Sequence, residues 1–325
     1  MPFDLTFKMY FTLILIFAIG FGIIYFILLF FGMSFSFIIA FAVLFFLLQW
    51  YISPKLIQFT SHLQYIKDNE YPKLHEIVNK LAGQIQVPIP RIAISASKEP
   101  NAFVFGRTKK SSTLVIHKGL LDILNNDELE AVIGHELGHL KHNDMIVLTF
   151  ISFIPMLAYL IAQNMFFSSI FGGYGNSRRN VDYLVIFGII AFLVYLIAQL
   201  LMLSLSRSRE SYADAFSAKT TKKPAALASS LFKISYHNIN NTNKPDSNIQ
   251  SFYIINYFNV ERDMKEIKEH FKEIKEMVPD VDLNYLIKDI SKQKKNFWGV
   301  LNSLYSTHPA TYKRIVDLAK IKKGL

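Results

Sequence analysis

The chain has 325 residues, 51% of them hydrophobic, with 29 phenylalanines and a formal net charge of +10. That composition, with its positive mean hydropathy, excludes an ordinary soluble globule and makes lipid the solvent for part of the chain. The absence of cysteine excludes disulfides and thiolate metal sites, so any metal must be held by His, Asp or Glu.

Residues 11–31 form an uncharged apolar run, long enough to cross roughly 30 Å of hydrocarbon as a helix. After Gly32, Met33 and Ser34 a second run, 35–52, returns and stops at Ser53-Pro54-Lys55. The pair predicts a transmembrane hairpin. A cleaved signal peptide is disfavoured, because the apolar core is too long and no small-residue cleavage site precedes the second run.

In the polar stretch that follows, Leu74, Ile77, Val78 and Leu81 recur at helical spacing and predict an amphipathic helix over 71–82, broken by Val87-Pro88-Ile89-Pro90. Residues 91–95 (RIAIS) alternate like a half-buried strand. Two more short strands are expected at 101–106 (NAFVFG) and 113–117 (TLVIH), joined by the basic turn 107–110. A helix then starts near Asn126-Asp127, which offer capping side chains, with Glu128 and Glu130 suited to the first turn. It runs through Leu129, Val132, Ile133, Leu137 and Leu140 and can continue into the next apolar run.

That run, 145–171, is interrupted by Pro155 and by Gln163-Asn164, and predicts a third span; 183–205 predicts a fourth, with the Gly- and Asn-rich 172–182 as a turn outside the bilayer. Buried helices of a soluble core are usually shorter. Four spans put both termini and 53–144 on one side. There Lys8, Lys55, Lys67, Lys141, Arg207, Arg209, Lys219 and Lys222 lie near span ends, against Arg178 and Arg179 opposite, so the positive-inside rule makes the richer side cytoplasmic. Beyond 205 the chain starts helically, loosens at 238–251, and carries an amphipathic, charge-alternating helix at 261–277 that reads as a solvated face. The basic excess sits in this region, mixed with acids and with no nucleic-acid motif, which fits nearby anionic lipid and argues against nucleic acid as a partner.

The chemistry is concentrated in His135-Glu136-Leu137-Gly138-His139. At about 100° per residue, positions four apart lie about 40° apart around a helix, so both imidazoles point the same way and can grip one zinc ion. Glu136, beside the metal without ligating it, can take a proton from the attacking water and pass it to the leaving amine. Chance alone would supply about 0.01 such matches in a chain of this composition. A hydrolytic site also needs a third protein ligand, and His117, His142, Glu210, Asp214 and His308 are the candidates. His142 shares the helix face but lies a turn away, and one straight helix rarely wraps three ligands round a metal. Glu210 and Asp214 are four apart, and Ala213, Ala215 and Ala218 would let their helix lie close to another.

In order, an N-terminal hydrophobic hairpin, NAFVFG, GLL, ELEAVIGHELGHLKHND, two further hydrophobic spans, SRSRESYADAFSA and THPATYKRI resemble the HtpX family of membrane-bound zinc metallopeptidases, relatives of the type I CAAX prenyl proteases. The resemblance implies a predominantly α membrane protein with four transmembrane helices and an α+β zincin-type (gluzincin) catalytic domain carrying a small sheet. It implies one Zn2+ per chain on His135, His139 and Glu210, with Glu136 as general base. Asp214 would orient a ligand histidine, Arg314 brace a carboxylate and His308 stabilise the oxyanion. Asn101 would lie on an edge strand that pairs with substrate backbone. The expected division is a tail and hairpin at 1–52, the first half of the catalytic domain at 53–144, a second span pair at 145–205 and the second half at 206–325, with an insertion near 237–298. The resemblance makes the function cleavage of misfolded or damaged membrane proteins at the cytoplasmic face, a quality-control and stress-response role. The alternatives are a specific CAAX-type processing protease and a non-catalytic zinc-binding scaffold or transporter. The partners expected are membrane-protein or peptide substrates and the bilayer; the oligomeric state stays open.

Overall fold

The computed structural model describes residues 63–171 (68 excepted), 178–240 and 309–324, with separate positions between 44 and 61 and positions 272 and 275. The apolar run 11–31, most of 35–52, linker positions 172–177, most of the 237–298 insertion with its charged helix, and His308 lie outside the described residues. The chain divides into two compact units, Met1–Ile52 with Ile146–Ser206, and Ser53–Met145 with Arg207–Leu325.

The second unit is built on a four-stranded sheet. Its strands are β1 (Gln64–Tyr65), β2 (Arg91–Ser95), β3 (Ala102–Phe105) and β4 (Thr113–His117), in the order β1-β2-β4-β3. β2 and β4 are parallel, while β1 on β2 and β3 on β4 are antiparallel, so the sheet is mixed and β3 is a terminal strand. Its helices are α1 (Pro72–Ile85), the short α2 (Lys118–Ile123), α3 (Asn126–Lys141), α6 (Pro224–Asn240) and α7 (Thr311–Gly324). Two long helices, α4 (Asp144–Phe171) and α5 (Arg178–Thr221), lie between α3 and α6 in the chain.

The strands are buried more fully than alternation predicts. Ile92, Ile94, Leu114 and Ile116 join one core with α1, α3, α6 and α7, while Ala93, Phe103, Phe105 and Val115 make a second cluster on the other side with Ile57 and Leu63. RIAIS is therefore a strand covered on both faces, and its alternation reports side-chain size more than exposure. Ile133, Leu137 and Leu140 of α3 are completely buried in the main core. Each such side chain stabilises the unit by roughly 1.5–3 kcal/mol and locks the rotation of α3 about its axis.

The start of α3 differs from the sequence expectation by one residue. Asn125 is the cap: its side chain accepts from the Glu128 amide at 2.9 Å, and Glu128 accepts in return from the Asn125 amide at 2.9 Å, a reciprocal capping box. The helix also stops where the sequence left room for it to continue. Asn143 takes a left-handed conformation (φ 58°), which asparagine tolerates better than most residues, and α3 ends just before it.

In the first unit, Ile151 and Ile154 of α4 pack on Ala198 and Leu205 of α5, and Ala162 and Met165 pack on Ala191. Gly188 completes the seam, since a Cβ there would stand 3.1 Å from the Phe166 ring. Small residues at the contact let the two backbones approach, as membrane helix pairs require. Away from the seam, Ile186, Ile189, Leu193 and Ile197 are about half exposed, an apolar surface unsuited to water. Pro155, expected to interrupt the third span, lies inside a continuous helix. Of the expected 172–182 turn, residues 178–182 are helical, because α5 begins at Arg178. Among the described residues one helix, Tyr183–Thr221, is by itself long and apolar enough to cross a membrane, and α3 with α4 meets the same test as a bent pair.

Candidate metal centre

The site lies wholly in the second unit, where α3 and α5 cross. The crossing is close because α3 carries glycine on the facing side. A Cβ at Gly134 would stand 2.9 Å from Ser217 Oγ and from Thr221 Cγ2, and one at Gly138 would stand 3.1 Å from the Phe216 ring. Ser217 Oγ donates to the Ala131 carbonyl at 2.6 Å, stitching the two helices together. One and two turns back along α5 from Ser217, Asp214 and Glu210 face the histidines.

The donor atoms converge. His135 Nε2 and His139 Nε2 are 3.2 Å apart. Glu210 Oε2 lies 3.4 Å from the first and Oε1 lies 3.4 Å from the second. A tetrahedral ion with ligand bonds of about 2.0–2.1 Å would separate its donors by about 3.3 Å, so these three side chains fit a divalent metal. Among the described residues they are the His and acidic side chains that come together this way. Electrostatics point the same way. Burial alone would depress both imidazoles, but Asp214 and Glu210 outweigh it at His135, and Glu210 with Glu136 does so at His139, so both are held above their ordinary value. Such a pocket is arranged for positive charge.

Behind the donors stands a layer of carboxylates and arginines. His135 Nδ1 lies 2.9 Å from Asp214 Oδ1. Arg314, from α7, grips Asp214 with both Nε and Nη2 at 2.7 Å, and its Nη1 is 3.5 Å from Glu210. Burial opposes ionisation of Asp214, yet the Arg314 charge wins and keeps the carboxyl below the usual range. Glu136 is 4% exposed. Burial pushes its carboxyl upward and the neighbouring Glu210 adds to this, against the pull of His135, His139 and Arg314.

The other residues singled out from the sequence fall elsewhere. Asn101 is fully buried at the entrance to β3, where its carbonyl accepts from the His117 amide at 2.9 Å. His117 is buried at the end of β4, edge-on to Phe103, with Nδ1 3.0 Å from the Glu99 carbonyl, outside the donor group. His142 is half-buried against Tyr212 and Phe216, with Nδ1 2.7 Å from the Gly138 carbonyl, and is likewise not a member.

Two residues escaped the sequence reading. Asp144 Oδ2 lies 2.7 Å from His139 Nδ1, and Arg209 is ion-paired with the other oxygen of the same carboxylate. Arg209, counted from sequence among the span-end charges, is in fact 3% exposed. Asp144 was hidden because five residues along a straight helix turn it about 140° away from His139. The Asn-Asp pair after the histidines was the available signal, since a left-handed Asn143 ends α3 and brings Asp144 back.

Residues 68–322 match the model of peptidase family M48, a stretch that includes every residue of this site. A protease HtpX homologue of Methanothermobacter thermautotrophicus is 42% identical over 187 residues, 58% of this chain and 68% of the relative. One from Picrophilus torridus is 32% identical over 282 residues, 86% of this chain and 82% of the relative. A crystal structure of S. mikatae Ste24p is similar with a TM-score of 0.49 and 23% identity, covering 77% of this chain and 63% of that one. Helix α3, the Glu210 segment of α5 and the α7 arginine thus fall within one family match, and the chain belongs to peptidase family M48, as a metallopeptidase of the HtpX type.

Proposed function

We propose that this chain is a membrane-integrated zinc endopeptidase that hydrolyses peptide bonds of misfolded or damaged membrane proteins at the cytoplasmic face. The observation that carries the reading is the cluster of His135, His139 and Glu210 donors within 4.8 Å of one another, with Glu136 buried beside it. The three side chains would hold one Zn2+. When bound, the ion would supply Lewis-acid polarisation of the scissile carbonyl and of the attacking water. Glu136 takes the proton of that water on a carboxylate oxygen and gives it to the leaving nitrogen. Arg314 and Asp214 keep His135 in one orientation. His308 stabilises the oxyanion, as the family resemblance implies.

Substrate would enter as a strand. β3 is terminal in the sheet, Asn101 stands at its start, and β3 packs against α3, so an extended peptide added along β3 would pass the metal donors. Four spans hold the enzyme in the bilayer. Tyr183–Thr221 is long and apolar enough for one of them, and α3 with α4, itself about 42 Å long, qualifies as a bent pair. With Arg209 removed from the surface count, Lys8, Lys55, Lys67, Lys141, Arg207, Lys219 and Lys222 still outnumber Arg178 and Arg179, which supports a cytoplasmic catalytic unit.

The test compares purified wild type with Glu136→Gln in detergent, by zinc quantification and cleavage of a membrane-protein substrate. The variant is expected to keep one zinc per chain while cleavage falls roughly 10²- to 10⁴-fold. Undiminished proteolysis by Glu136→Gln would overturn the reading.

A further inference from the structure

The two histidines of the donor group are backed in parallel. His135 leans on Asp214, which is gripped by Arg314. His139 leans on Asp144, which is paired with Arg209. Asp144 and Arg209 lie within the motifs ELEAVIGHELGHLKHND and SRSRESYADAFSA, but neither is assigned a role at the site from sequence.

We propose that Asp144 and Arg209 are a positioning pair that fixes His139 for metal binding, an inference that rests on the zinc-peptidase reading above. The geometry carries it. Asp144 Oδ2 is 2.7 Å from Nδ1 of His139, the nitrogen opposite the donor, so the proton is held on Nδ1 and the Nε2 lone pair faces His135 and Glu210. Arg209 neutralises the buried carboxylate and is itself anchored, its Nη2 donating to the His142 carbonyl at 3.2 Å. The contact is also built rather than incidental: Asp144 can reach His139 only because Asn143 breaks the helix in the left-handed conformation. His139 is the more exposed imidazole of the two, 17% against 2%, and so has fewer neighbours to hold its ring. Charge is balanced as well. Each orienting carboxylate has its own arginine, which leaves Glu210 and Glu136 as the acids facing the metal position.

The experiment measures Zn2+ affinity of the full-length protein in detergent by competition with a chromophoric chelator, together with the visible absorption spectrum of the Co2+-loaded protein. Asp144→Asn is expected to weaken Zn2+ binding roughly 10- to 100-fold and to change the Co2+ spectrum, because the ring is no longer held by a charged acceptor. Since Asp144→Asn leaves a buried guanidinium without its carboxylate and can cost folding, the double variant Asp144→Asn/Arg209→Met removes both charges together. It is expected to show the same affinity loss in a protein whose circular dichroism matches wild type. Glu210→Ala serves as the reference. If Glu210→Ala loses Zn2+ and the folded Asp144 variants bind it as tightly as wild type with an unchanged Co2+ spectrum, the positioning role is wrong and the site reading stands. If Glu210→Ala itself binds Zn2+ undiminished, the site reading fails and the positioning role fails with it.

Discussion

Replacing Arg314 by methionine separates what the arginine does for folding from what it does for the metal. Arg314 and Asp214 are 2% and 4% exposed, and they meet through two parallel contacts of 2.7 Å. Methionine fills most of the arginine stem but leaves the Asp214 carboxylate buried, with His135 Nδ1 2.9 Å away. Removing one member of a buried pair costs about 3–5 kcal/mol, because the survivor's desolvation is no longer offset. At about 2–4 °C per kcal/mol for a unit of this size, Tm should fall by roughly 10 °C. Adding Asp214→Asn removes the orphaned charge, so the double variant should recover most of that loss while Zn2+ affinity stays about 10- to 100-fold down. Thermal unfolding followed by circular dichroism in detergent, with metal removed by chelator, reads the first quantity, and chelator competition reads the second. An Arg314→Met protein that melts within about 3 °C of wild type would refute the reasoning, since an uncompensated buried carboxylate cannot be that cheap.

His117 makes stability depend on pH. Burial lowers its pKa from 6.5 to about 4, so below pH 6.5 the unfolded chain takes a proton that the folded chain refuses. Stability from this group is complete above pH 6.5 and declines as pH falls towards 4, by about 3 kcal/mol in all. Melting curves of wild type and His117→Asn between pH 7 and 4 should diverge in that window, and parallel curves would contradict the assignment. Gly134→Val should cost about 1–3 kcal/mol and weaken Zn2+ binding, since the new side chain meets Ser217 and Thr221 on the helix that carries Glu210. Gly83→Ala is the contrasting case: a Cβ there meets nothing within 4 Å, and up to about 1 kcal/mol of stabilisation is expected in the same melts.

Local pattern was enough for α1, β2, β3, β4 and α3, though not for the short α2. RIAIS and TLVIH mark β2 and β4 and NAFVF marks β3, within a residue or two, and Leu74, Val78 and Leu81 mark α1, which runs three residues past its expected end. What escaped was decided by other parts of the chain. β1 is two residues long and exists because Gln64 and Tyr65 pair with Ile94 and Ala93, a partnership without a local signature. Arg209 reads as a charge at a span end, and only the position of Asp144 makes it a buried ion pair. Pro155 reads as an interruption, yet the helix continues through it.

The sequence by itself determined that His135 and His139 share a helix face, because i, i+4 spacing is local geometry that survives any packing. It also determined that stretches of the chain are too apolar for water. Which acid completes the donor group is a different kind of question. Glu210 stands 71 residues beyond His139, and its approach depends on the absence of side chains at Gly134 and Gly138, on the Ser217 hydrogen bond and on Arg314 arriving from α7. The family resemblance named Glu210, but residue spacing left it one candidate among several. The tertiary structure brings it to the histidines, since distance between segments far apart in the chain is set by how their surfaces close on one another and not by the residues next to them.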